Sequence, residues 1–159
     1  MSRVFFLLVL VALLVFGVTR IAIKKNPPEA KKSLIVVSTV YPLFEFAREV
    51  GGAYVTSELI TPSGVEPHEY EPTAQDILTV SKSDLFLFVS PRFESWAQKT
   101  TAMFPREKPL TLEAASVSDL FNDDPHIWLD PVRAIDIVTA IKNSLTELDP
   151  EHVREYEAN

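Results

Sequence analysis

Cysteine is absent from this 159-residue chain, which excludes a disulfide framework and a thiolate metal centre. Glycine occurs only four times, too seldom for the glycine-rich loops that cradle phosphate. No helical His-Glu-x-x-His pair, Gly-x-Ser-x-Gly elbow or deaminase-type cluster is present. Basic charge is scarce as well. The chain carries 15 Lys and Arg against 22 Asp and Glu, a formal net charge of -7. Setting aside Arg3, Arg20, Lys24 and Lys25 leaves residues 26–159 with 11 basic and 22 acidic side chains, or -11. An acidic body of this kind disfavours nucleic acid or an anionic membrane surface as a partner. What remains is a 47% apolar chain, long enough for one domain with a real core.

Histidine is also rare, with three in all, and two of them stand in the most proline-marked segments. His68 lies in Pro67-His68-Glu69-Tyr70-Glu71-Pro72, and His126 in Asp124-Pro125-His126-Ile127-Trp128-Leu129-Asp130-Pro131. Proline on either side restricts the backbone that presents each imidazole. Neutral imidazole is the commonest protein ligand for zinc and similar divalent ions. Two of them at one sheet edge would supply half of a four-coordinate site. Glu66, Glu69 and Glu71 add negative potential around His68 and read as solubilising or orienting groups rather than as direct ligands. Asp130 reads as the cap of the helix that follows, and Asp123-Asp124 as acidic decoration or long-range attraction for a cation. His152, among Glu151, Arg154 and Glu155, reads as a surface residue.

The N-terminus reads as an address. Every residue from Val4 to Val18 is apolar or glycine, and Arg3 precedes the run. A short basic segment followed by about 15 apolar residues matches a signal peptide, whereas a spanning helix needs about 20. Residues 1–25 are therefore expected to be a signal peptide or an uncleaved membrane anchor of an exported protein. The charges after the run (Arg20, Lys24, Lys25, Lys31, Lys32) outnumber those before it, so an anchor with a cytoplasmic body is the alternative.

Residues 26–33 form a polar, proline-containing linker. Beyond it the pattern alternates. Strands are predicted at 34–38, 55–60, 85–89 and 110–112. Helices are predicted at 41–50, from the Thr73 cap to about Val80, at 95–103, at 131–148 with Asp130 as cap and Ile135, Val138, Ile141 and Leu145 as core stripe, and again from Asp149-Pro150. Alternating strands and helices imply an α/β fold with a parallel sheet flanked by helices. Ligands of such sheets bind at the carboxyl ends of the strands, where the His68 loop falls.

Taken together, the segments VVSTVYPLFEFAREVGG, VEPHEYEPTAQDI, Ser83–Phe88 and DPHIWLDPVRAIDIVTAI, ending in LDPEH and YEAN, resemble the zinc/manganese ABC-transporter solute-binding proteins. The resemblance runs in order from about Leu34 to Asn159. It implies an α/β metal-binding lobe at 34–148, with 149–159 as the truncated start of a helix connecting to a second lobe. It implies a Zn2+ site, with Mn2+ as the alternative, in which this lobe supplies His68 and His126 and the missing C-terminal lobe supplies the remaining ligands. It further implies delivery of the ion to an ABC permease on the periplasmic or extracellular face of the cytoplasmic membrane, without enzymatic chemistry. A membrane-anchored adhesion or interaction module is the alternative reading. The chain departs from the family pattern in lacking a His-rich acidic loop and in carrying Pro91-Arg92-Phe93-Glu94 where Gly-Leu-Glu is usual.

Overall fold

The computed structural model describes residues 33–104, 109–117 and 124–159. The expected signal or anchor segment and almost all of the expected linker lie outside these residues. Among the described residues no helix is long and apolar enough to cross a membrane.

The first strand, β1 (Leu34–Ser38), is a short apolar and β-branched run that suits a sheet covered on both faces. Helix α1 (Tyr41–Gly51) follows after two residues, with Pro42 in its first turn, where a missing N–H costs nothing. Leu43, Ala47 and Val50 recur at helical spacing and are buried. Gly52 ends the helix at φ +52°, a conformation that suits glycine, and its N–H reaches back to the Arg48 carbonyl. Gly51 is required for a different reason: a Cβ there would stand 2.3 Å from Val55 Cβ, at the start of β2 (Val55–Leu59).

Helix α2 (Ala74–Lys82) opens on the expected capping box, with Asp76 N donating to Thr73 Oγ1 at 3.3 Å and Thr73 N to Asp76 Oδ2 at 2.7 Å. The remaining elements are β3 (Leu85–Phe88), α3 (Ser95–Thr101), β4 (Leu110–Glu113), α4 (Pro131–Leu148) and α5 (Val153–Ala158). Asp130 caps α4 as expected, accepting from Val132 N at 2.9 Å.

All four strands are parallel, in the order β2-β1-β3-β4. Alternate strand residues face two layers. Val36, Leu85 and Leu87 pack with α1, α4 and Tyr156 of α5, while Val37, Phe86 and Phe88 pack with Val80 of α2 and Ala97 of α3. This is the expected α/β architecture. The stripe of α4 differs from the expected one. Ile137, Ile141 and Leu145 are at most 1% exposed, whereas Ile135 is 65% exposed. Steps of four residues keep 137, 141 and 145 on one side, and Ile135 is turned well away from that line, onto the solvent side with Val132.

Candidate metal site

Because the strands are parallel, the loops leaving them gather at one edge of the sheet. Those after the two outer strands, β2 and β4, lead to the two histidines. His68 sits in a single 3-10 turn, Pro67–Glu69. Glu66 is extended, as a residue before proline tends to be, and the turn closes through Glu69 N to Glu66 O at 3.1 Å and Tyr70 N to Pro67 O at 3.3 Å. Tyr70 then fastens the loop to the sheet layer below. Its ring meets Trp96 edge-on at 6.2 Å, and its hydroxyl donates to Asp76 Oδ2 at 2.7 Å. Burial and this bond push the Tyr70 hydroxyl far above its ordinary range. Burial works to raise Asp76 too, but the donors Tyr70 and Thr73 outweigh it and leave that carboxyl below its usual value.

His126 is fixed from the other side. It precedes a second 3-10 turn, Ile127–Leu129, whose Ile127 is 4% exposed within the main core, with Trp128 packed against it. Asp124 Oδ1 accepts from His126 N at 3.0 Å and lies 2.9 Å from His126 Nδ1. With Nδ1 carrying the proton to that carboxylate, Nε2 keeps its lone pair for an incoming cation. The backbone bond from His126, then the side-chain bond, hold Asp124 below the ordinary carboxylate range.

The two imidazoles meet, their ring centres 5.6 Å apart with planes at 63°. Zinc–nitrogen bonds of about 2.0–2.1 Å at a tetrahedral angle would set two imidazole centres roughly 5 Å apart. The observed spacing is thus close to that of two ligands on one ion. Both rings are exposed and are flanked by aromatics, His68 by Phe93 at 4.1 Å and His126 by Trp128 at 5.5 Å. Neither ring nitrogen of His68 has a hydrogen-bond partner among the described residues. A cavity of about 390 Å³ opens beside His68, and both Glu69 and Glu71 line it together with Tyr70, Trp96 and Lys99. Among the described residues no third histidine or carboxylate joins the pair in a ligand-spaced group.

His152 is elsewhere and is not the surface residue the sequence suggested. Its side chain is 13% exposed and stacks on Tyr54 at 3.8 Å, while Nδ1 faces Asp149 Oδ2 at 2.5 Å. Its charged neighbours Glu151, Arg154 and Glu155 gave no hint of this, because Tyr54 is distant in sequence. Sequence reasoning also missed two residues that shape the site. Asp124 could have been found from its spacing of two residues before His126, the distance at which an Asp side chain bonds back to the chain. Phe93 carried no such local sign.

The family model for the periplasmic zinc-uptake complex component A matches residues 36–159. The chain is 31% identical over 153 residues to the zinc-binding lipoprotein AdcA of Streptococcus pneumoniae serotype 4, covering 84% of this chain and 30% of that protein. It is 30% identical over 145 residues to the high-affinity zinc uptake system protein ZnuA of Bacillus subtilis, covering 79% and 46%. Among solved structures, the Zn(II)-bound ZnuA-like domain of Streptococcus pneumoniae AdcA superimposes with a TM-score of 0.72 at 34% identity, over 79% of this chain and 48% of that one. The chain thus spans between about a third and a half of the length of these proteins.

Proposed function

This chain belongs to the periplasmic zinc-uptake complex component A family, and on that premise we propose that it captures Zn2+ through His68 and His126 for import. The observation that carries the reading is the approach of the two rings to 5.6 Å with His126 Nδ1 already engaged by Asp124. The relatives named above are described as zinc-binding and zinc-uptake proteins, which fits the same cargo. Two nitrogen donors favour zinc over manganese, which binds such ligands more weakly, and Mn2+ is the alternative cargo. Groups outside the described residues, or water, complete the coordination.

The chemistry is reversible coordination by neutral imidazole, with no bond made or broken in a substrate. Capture takes place on the outer side of the cytoplasmic membrane, and the partner that receives the ion is the permease of an ABC importer. Protons compete with the metal for the imidazole nitrogens, so binding weakens in acid. Zinc titration of the full chain by calorimetry, beside the His68→Ala/His126→Ala double variant, tests the reading. The expected result is binding in the wild type that the double variant loses. Equal binding by both proteins would refute it.

A further inference from the structure

In a parallel sheet the chain reverses its direction of growth at one point, and ligands of such folds occupy the crevice there. Here that point lies between β1 and β3, since β2 is added on one side of β1 and β3 on the other. The crevice is already filled by a side chain of the protein. Glu94 is 2% exposed, and its carboxylate accepts from Thr39 Oγ1 at 2.5 Å, Val89 N at 3.2 Å and Ser90 N at 3.1 Å.

Each of these bonds leads towards His68. Thr39 extends β1, and its carbonyl accepts from Thr61 Oγ1 at 2.7 Å, at the head of the loop that carries His68. Val89 and Ser90 extend β3, and Ser90 accepts from Phe93 N through its carbonyl at 3.1 Å and its hydroxyl at 3.2 Å. Phe93, the residue before Glu94, is the one whose ring rests on His68 at 4.1 Å. One carboxylate therefore joins the ends of two strands, β1 and β3, and through Thr39 and Ser90 reaches both the loop that holds His68 and the ring that backs it.

We infer that Glu94 is a positioning residue for His68, holding Phe93 against the imidazole and so fixing the direction in which its ring nitrogens face the cation. The inference deepens the metal-capture reading and rests on it for its purpose, though not for its geometry. Burial raises the Glu94 carboxyl from 4.5 to about 7 against the lowering effect of its donors, with Glu113 nearby raising it further. A buried carboxylate this costly, which takes no part in contacting the ion, is accounted for by such a role.

The test reads the metal-free protein first. Phe93 shifts the His68 ring protons through its ring current, so Phe93→Leu moves those resonances in a proton NMR spectrum of the full chain. Glu94→Gln, and independently Thr39→Val, are expected to move them in the same direction while the His152 resonances, outside the site, stay in place. Zinc affinity by calorimetry is expected to fall about tenfold in Phe93→Leu and in Glu94→Gln, and no further in the double variant, as for residues acting as one unit. His68 resonances that stay unmoved in folded Glu94→Gln and Thr39→Val would overturn the inference, as would losses that multiply in the double variant. A wild-type chain that binds no zinc would sink the proposed function, and the metal-free spectra would still decide the role of Glu94.

Discussion

Glu94 also sets a sharp expectation for stability against pH. Its carboxyl titrates at about 7 in the folded protein against an ordinary 4.5, principally because burial disfavours the charged form. At about 1.4 kcal/mol for each pH unit, the difference corresponds to about 3 kcal/mol. The folded value lies above the unfolded one. The native state therefore holds a proton between pH 4.5 and 7 that the unfolded chain has released. By linkage the contribution of this group is fully present below the unfolded value and is lost as pH rises through 7. Glutamine at 94 keeps the size of the side chain and cannot titrate. Urea unfolding of both proteins across this range should show the stability of wild type relative to Glu94→Gln declining by about 3 kcal/mol from pH 4.5 to 8, with equal urea slopes. Taking the difference cancels the titration of groups that both proteins share and that do not couple to Glu94. A flat difference would refute the reasoning. A difference that grows with pH would show that the three donors, and not burial, govern the carboxylate.

Three further expectations follow from packing and hydrogen bonding. Gly51→Ala forces a Cβ to within 2.3 Å of Val55 Cβ and should cost about 1–3 kcal/mol in chemical denaturation. Asp124→Ala frees His126 Nδ1 and should weaken zinc binding about 10- to 100-fold by calorimetry. His152→Ala removes a ring stacked on Tyr54 and should lower stability by about 1 kcal/mol in a thermal melt while leaving zinc affinity unchanged, since this histidine lies outside the site.

Local patterns carried most of the fold. β1 and α4 have the expected bounds, and Thr73 and Asp76 form the expected box, because strand composition, proline at the helix start and capping chemistry all act within a few residues. Ile135 went astray because α4 is apolar on more than one side, and periodicity alone cannot say which side meets the sheet. The strand at 55–60 stops one residue sooner than expected, at Leu59, while β4 continues to Glu113, beyond the predicted 112. For the site, proline spacing singled out His68 and His126, but their meeting depends on strand order, which no local pattern encodes. In the sequence Glu94 stands only within the Pro91-Arg92-Phe93-Glu94 departure, with nothing to mark it as buried. Its burial comes from β1 and β3 closing over it, with Thr39 lying 55 positions away.

The outermost position of β2 and β4 gives the histidine pair a further property. On the proposed site, an ion held by both rings would clip together the two margins of the sheet, in the manner of a clasp across an open book. In the unfolded chain the same two rings are separated by the whole middle of the sequence, and bringing them together costs loop-closure entropy. The unfolded chain would thus be a poor competitor for the ion, and each ion bound at the proposed site would shift the balance toward the assembled sheet. Cargo and scaffold would then report on each other, and a melting temperature that rises with added zinc would gauge whether both margins are in place.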